Sequence, residues 1–297
     1  IDLSMKKRPS IGVLLAAYNG IFWIEKQIES LLCQKDVDID IYVSIDLSND
    51  GTLEKCKELA STNKNIFILS YGESFGRAGK NFFRLIRDVN LNIYDYIAFS
   101  DQDDIWLLNK LSCAVDYIIE KKLDGYSSNV IAFWENGNEV TINKALPQKK
   151  FDYFFESAGP GCTYVICKQP MEKFKKFLIR NWEGINQVES HDWIIYAFCR
   201  NEGFKWGIDM RSFIKYRQHK SNSFGANVGI NAYLNRIKKI RNFWYRNEVK
   251  KIFSLLRINT KCNFTLNRLF LIKNFWYLRR KTSHAIFLLF ILVFNVF

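Results

Sequence analysis

The chain lacks any apolar stretch of the roughly 18 residues that a membrane-spanning helix requires. Its strongly apolar end, "AIFLLFILVFNVF" (residues 285–297), is 13 residues long and is interrupted by Asn295. As a helix it would reach about 20 Å against a hydrocarbon core of about 30 Å, so shallow insertion is expected rather than spanning. No apolar core precedes a cleavage site in "IDLSMKKRPS", which argues against a signal peptide, and Met5 is the expected natural start. The seven cysteines are odd in number and scattered, with no CxxC pair. That excludes a disulfide framework and structural zinc as expectations and favours a reducing cytoplasm. Internal repeats and low-complexity linkers are also missing.

Acidic residues are scarce in one region only. From residue 231 onward there are 14 Lys and Arg against a single acid, Glu248. The first 230 residues hold 29 of each sign, so the net charge of +13 belongs to an appendage and not to the whole protein. Hydrophobic residues make up 48% and charged residues 25%, enough to bury a sizeable core and too apolar for disorder.

Within residues 1–125 strands and helices alternate. "SIGVLLAAY" (10–18), "DIYVSID" (40–46), "NIFILSY" (65–71) and "YDYIAFS" (94–100) read as strands. The first is continuously apolar, as a strand covered on both faces must be. Helical spacing occupies 21–34, 50–61 and 79–89, and a further helix is expected from about Ile105. The alternation predicts an α/β fold, a mostly parallel sheet flanked by helices. Residues 126–230 are less regular. A Gly/Pro loop feeds a strand in "SAGPGCTYVICK" (157–168), helices are expected near 170–180 and 191–202, and a strand end runs into a loop at 213–227.

Ligands of an open parallel sheet bind beyond the carboxyl ends of its strands. There the sequence places Ala17-Tyr18-Asn19, then Asp46, Ser48 and Asp50, then Asp101, Gln102, Asp103 and Asp104. Three carboxylates within four positions repel one another unless a hard divalent cation sits among them; Mg²⁺ and Mn²⁺ take one or two carboxylates plus substrate phosphates. The plainer reading is solvated aspartates, with Asp104 capping the next helix.

In their order and spacing, "AAYNG", "IDLSNDGT", "GRAGKNFFRLI" and "FSDQDDIW" resemble the family 2 glycosyltransferases of the GT-A fold. The resemblance is nearest to bacterial enzymes that build polysaccharides, such as rhamnosyltransferases of O-antigen and capsule synthesis, and covers roughly residues 9–225. It implies that Ala17 and Tyr18 hold the nucleotide base and that Asp46 reads base and ribose. Lys80 and Asn81 then lie near the nucleotide, Asp101 near the ribose, and Asp103 on a metal, Mn²⁺ or Mg²⁺, bound to the diphosphate. Many members read Asp-Asp-Gly-Ser where this chain has Ile45-Asp46-Leu47-Ser48. That departure leaves dTDP and UDP both open as the nucleotide.

In "SHDWIIYAF" the resemblance places the catalytic base at Asp192, a carboxylate able to take the proton of an acceptor hydroxyl. The alternative is a helix-start residue, and Trp193 reads either as a sugar platform or as core. "YRQHKSNSFG" resembles a further signature, Tyr-Arg-Gln-His. It implies that His219 is a metal ligand or a hydrogen-bond partner of the diphosphate and that Arg217 is a phosphate clamp. Gly159 and Gly161 allow close backbone approach to a sugar or form a tight turn.

The expected organisation is a catalytic domain over 1–230, with a nucleotide-sugar half (1–125) and an acceptor half (126–230), followed by a basic, aromatic helical tail (231–297). The resemblance implies an inverting, metal-dependent transferase moving a sugar from a nucleoside-diphosphate donor to a growing, lipid-linked cell-surface polysaccharide. The basic amphipathic segment 233–256 points to peripheral contact with the inner face of the cytoplasmic membrane. Packing of the tail on the catalytic domain is the other reading. A sugar nucleotidyltransferase is disfavoured because "AAYNGIFW" lacks a Gly-rich basic loop. A nucleic-acid partner is disfavoured by the neutral first 230 residues, and a non-catalytic relative is the remaining alternative.

Overall fold

The apolar runs become strands wherever both of their faces are covered. In the computed structural model, which describes residues 7–219, 243–257 and 264–294, β1 (Ser10–Ala17) has every residue after Ser10 buried. It pairs in parallel with β2 (Asp38–Ile45), from Ser10↔Asp38 to Ala17↔Ile45. On its other side it pairs in parallel with β4 (Tyr96–Ser100), from Ile11↔Tyr96 to Leu15↔Ser100. β3 (Ile66–Ile68) extends the parallel set beyond β2. The chain therefore winds outward from β1 to β3 and then crosses back to β4. The crevice at that reversal lies over the carboxyl ends of β1, β2 and β4.

Beyond β4 the sheet turns mixed, in the order β3-β2-β1-β4-β8-β6-β9-β5, with β7 (Glu139–Ile142) off the path beside β6. β8 (Val165–Cys167) runs antiparallel to β4 and to β6 (Gly125–Phe133). β9 (Trp206–Arg217) runs parallel to β6. The helix expected from Ile105 does not start there. Ile105–Trp106 (β5) pair antiparallel with Lys215 and Ile214, and α4 begins only at Lys110 (Lys110–Lys121). A two-residue strand whose partner lies more than a hundred positions away leaves no local pattern to read.

Helices cover both faces. α1 (Ile24–Leu32), α2 (Thr52–Thr62) and α4 bury Ile28, Cys56 and Leu111 in one apolar cluster. α3 (Ala78–Asp88), α5 (Lys168–Arg180) and α7 (His191–Asn201) bury Phe82, Phe174 and Ile194 in the other. A short helix, α6 (Trp182–Ile185), joins α5 to the turn before α7.

The described tail packs into the second cluster. α8 (Trp244–Leu256) buries Val249, Ile252 and Leu256 there, α9 (Arg268–Lys273) buries Leu271, and α10 (Thr282–Val293) buries Leu288 and Leu292. The apolar face of α8 is thus occupied by protein; residues 233–242 of the expected amphipathic segment lie outside the described residues. α10 keeps a second apolar face outward, with Ile286, Phe287, Phe290 and Phe294 exposed.

Candidate active site

The loops that leave β1, β2 and β4 are bound to one another by side chains. The amide of Gln102 accepts from Tyr18 N (2.7 Å) and donates to Tyr18 O (2.8 Å). These two bonds imitate strand pairing and fix the turn after β1 against the acidic loop. Gly20 makes room for them, since a Cβ there would lie 2.2 Å from the Gln102 oxygen. Asn19 N donates to Ser48 Oγ (3.0 Å), and Ile21 N to Asp50 Oδ2 (3.0 Å). Asp50 also receives Thr52 N at the start of α2, which makes it a fastener of the loop.

Asp46 is buried at the end of β2, where its carboxylate accepts N–H bonds from Leu47, Phe75 and Gly76, each at 2.8 Å. It thereby folds the segment after β3 back over the crevice. Of the two residues that depart from the common motif, Ile45 is buried in β2 and Leu47 is exposed beside Asp46. Asn81 is buried on the second turn-face of α3, and its amide donates to the carbonyls of Ser44 (2.9 Å) and Ala17 (3.3 Å), locking the ends of β1 and β2. Lys80 is half-buried one residue earlier, and Tyr18 is exposed at the mouth.

In the acidic loop the three aspartates separate. Asp103 is bonded to His219 at 2.7 Å between Oδ2 and Nε2. The His219 ring is stacked on Trp23 at 4.0 Å and 19°. Arg217 donates through Nε to Asp103 O (3.0 Å) and through its backbone N–H to Asp104 Oδ1 (3.2 Å). The YRQH segment, carried on the end of β9, thus closes onto the acidic loop. Asp104 is not a helix cap: it is buried ahead of β5, and α4 starts from Asn109. Burial and the neighbouring charges of Asp103 and Asp101 push its carboxyl well above the ordinary range. Beneath it lies Lys110, 2% exposed, with its ammonium 3.5 Å from the centre of the Trp106 ring. Burial pulls that ammonium down to about 7.

Asp101 is half-buried at the head of the acidic loop. Burial, then the charges of Asp103 and Asp192, push its carboxyl up to about 7. Asp192, the second residue of α7, is therefore close enough for its charge to oppose that of Asp101. Burial raises Asp192 to about 6, against the pull of the Trp193 N–H, the Ser157 hydroxyl and the Lys144 ammonium. Gly161 gives the loop before β8 its approach to this helix start: a Cβ would stand 2.5 Å from His191 Nε2 and 3.2 Å from Asp192 Cβ. Trp193 is core and not a platform, 5% exposed with its indole N–H on Tyr153 O (3.0 Å).

The donor set fits a hard divalent cation. Asp103 and His219 already converge, Asp101 stands beside them with its ionisation opposed by burial and by the charges of Asp103 and Asp192, and crowded carboxylate charge is what such an ion relieves. The structure gathers Asp101, Asp103, His219 and Arg217 at the acidic loop with Asp192 close by, and it places Ala17, Tyr18, Asp46, Lys80 and Asn81 at the ends of β1 and β2 and the start of α3. Sequence reasoning placed Gln102 among the candidate ligand residues, whereas its amide fastens the turn after β1. It overlooked Trp23 and Ser157, whose site neighbours, His219 and Asp192, lie far along the chain.

Comparison with known proteins gives the same picture. The model of "Glycosyl transferase family 2" matches residues 12–181. The dTDP-rhamnosyl transferase RfbG of Shigella flexneri is 46% identical over 289 residues, covering 95% of this chain and all of that protein. A β-1,3-glucosyltransferase of Escherichia coli, WfgD, which uses UDP-Glc, is 26% identical over 159 residues, 52% of this chain and 59% of its own. Among solved structures, S. aureus TarS 1–349 in complex with UDP-GlcNAc superposes with a TM-score of 0.60 at 14% identity, covering 91% of this chain and 73% of that one. The mannosyltransferase PcManGT of Pyrobaculum calidifontis, in complex with GDP-Man and Mn²⁺, gives 0.54 at 14% identity, covering 86% and 66%. The fold is of the GT-A type, and the chain belongs to glycosyl transferase family 2 as a glycosyltransferase.

Proposed function

We propose that the protein transfers rhamnose from a dTDP donor, with inversion, to a growing cell-surface polysaccharide carried on a lipid. The observation that carries this reading is the convergence of Asp192 with Asp101 and the Asp103–His219 pair in one pocket. The 46% identity to a dTDP-rhamnosyl transferase supports the donor. Tyr18 and Asp46 hold the base and ribose end, with Ala17, Lys80 and Asn81 forming the wall behind them. Asp101 lies toward the ribose, and Arg217 stands by the diphosphate. Asp103 and His219 would hold the divalent ion, Mn²⁺ or Mg²⁺, which when bound offsets charge on the departing diphosphate. Asp192, raised toward neutrality by burial, accepts the proton of the acceptor hydroxyl as that oxygen attacks the anomeric carbon from the face opposite the leaving group. Deprotonation and attack in one step give inversion.

The outward face of α10 supports a peripheral place at the inner surface of the cytoplasmic membrane. Phe287, Phe290 and Phe294 are exposed there, Lys281 precedes the helix, and Trp276 is exposed nearby. Among the described residues no helix is long and apolar enough to cross a membrane. The deciding experiment is a donor panel, dTDP-rhamnose against UDP-glucose and UDP-GlcNAc, each with Mn²⁺, Mg²⁺ or EDTA. Transfer from dTDP-rhamnose alone, lost with EDTA, is the expected result. Near-native transfer by both Asp103→Ala and Asp192→Ala sinks the assignment. Sedimentation with anionic vesicles tests the membrane contact, which fails if Phe287→Ser/Phe290→Ser sediments as the unaltered protein does.

A further inference from the structure

We infer that the C-terminal segment positions Asp192 by clamping both of its supports, so that residues 244–257 and 264–280 belong to the transfer machinery. The inference rests on the reading of Asp192 as the base. The first support is the turn into α7. Glu189, three residues before Asp192, donates its backbone N–H to Glu248 Oε2 (3.0 Å), and its carboxylate accepts the Trp244 indole N–H (2.6 Å). Glu248 is fully buried and is also paired with Lys251. The one acid of the tail is therefore not scattered among its basic residues but is inserted under the helix that carries the base.

The second support is the loop 152–158. Arg280, 6% exposed, bonds Asp152 Oδ2 (3.2 Å) and the carbonyl of Ser157 through its guanidinium, and its backbone N–H reaches Glu156. Arg279 holds the carbonyl of Phe155 (2.8 Å). Ser157, so fixed, donates its hydroxyl to Gly159 O (3.1 Å) and stands close enough to Asp192 to favour that carboxyl's ionised form.

Tyr245 joins the two supports. Its hydroxyl donates to Phe155 O (2.7 Å), while its ring lies against Trp193, the neighbour of Asp192, at 5.8 Å and 23°. An anchor that merely tethered the chain to a surface would direct these cations outward. Here Arg279 and Arg280 are turned inward onto backbone carbonyls that define where Ser157 sits. A carboxylate that must meet one hydroxyl tolerates only about 0.5 Å of misplacement, which makes such supports matter for rate.

The test uses the full chain with dTDP-rhamnose, Mn²⁺ and a soluble acceptor glycan, with no lipid present. The variants are Tyr245→Phe, Arg280→Lys and Arg280→Gln, run beside Asp192→Asn. For folded protein, kcat should fall about ten- to a hundredfold while the donor KM stays within about twofold. Arg280→Lys should keep more rate than Arg280→Gln. Wild-type kcat in folded variants overturns the inference, and so does a matched change in kcat and donor KM. If Arg280 variants do not fold, Tyr245→Phe decides alone, since it removes one hydroxyl and keeps the ring. Should Asp192→Asn retain transfer, the base reading falls and the positioning falls with it. Should Asp192→Asn abolish transfer while Tyr245→Phe and Arg280→Lys run at the wild-type rate, only the positioning is refuted.

Discussion

On the proposed nucleotide side, Gln102 is bonded to Tyr18 and Asp46 to Phe75 and Gly76, so the wall is assembled from loops of a single sheet edge within residues 17–102. On the proposed acceptor side, Ser157 and Glu189 are held by Arg280 and Glu248, from a segment outside the sheet. The first wall is closed by short polar bonds between neighbours. The second is closed by buried charge brought from elsewhere. The difference teaches that, on the proposed reading, donor binding and sugar transfer depend on separable parts of the chain.

The sharpest break of that comparison is a pair of substitutions. Asp192→Asn should lower kcat by about 10²–10⁴-fold and leave dTDP-dependent thermal stabilisation intact. Asp103→Asn should lose both the rate and the metal dependence of that stabilisation. Equal loss of nucleotide binding in the two variants would merge the walls. Next in size is Asp152→Ala, which leaves Arg280 and Arg200 without their shared, fully buried partner. Breaking such a pair costs about 3–5 kcal/mol, readable as a lower denaturant midpoint. Gln102→Ala should cost less, about 0.5–1.5 kcal/mol because water can reach the exposed Tyr18 backbone, and should raise the donor KM more than it lowers kcat.

A pH profile sharpens the contrast further. Asp192 sits near about 6 because burial disfavours its charge. The ionised form is the active base, so activity is full above that value. It falls as pH drops through it, approaching roughly tenfold per pH unit at limiting slope. A kcat/KM that stays flat to about pH 5 would exclude Asp192 as the base. The smallest effect is expected at Trp23→Leu, which removes only the ring stacked on His219. It should weaken Mn²⁺ activation by a fewfold, about 0.5–1 kcal/mol.

How much of this was legible in the sequence follows the same division. β1 and β4 were readable because a strand covered on both faces is apolar, and β2 from its apolar residues between turns although its first half is only partly buried; the ligand residues then fall at the strand ends by chain order. The expected run 65–71 yields only Ile66–Ile68 as strand, since Ser70 and Tyr71 instead hold Arg84 and Ser48. β5 escaped notice because its partner lies on β9. The tail shows the deeper limit. Its basic residues suggested a surface, yet Arg280 and Glu248 are buried. A charge in a sequence carries no mark of whether its partner will be water, lipid or a carbonyl folded beneath it.

The clamp of Glu248, Tyr245 and Arg280 has a consequence for the order in which the protein becomes competent during synthesis. The side chains that bind the loops after β1, β2 and β4 to one another have left the ribosome once β4 and its loop are out, apart from those on β9 and the YRQH segment. The loop around Ser157 and the turn into α7 wait for Glu248 and Arg280, far downstream of the acidic loop. On the proposed reading, a nascent chain short of Arg280 would carry the residues of the first wall while the base was still unseated.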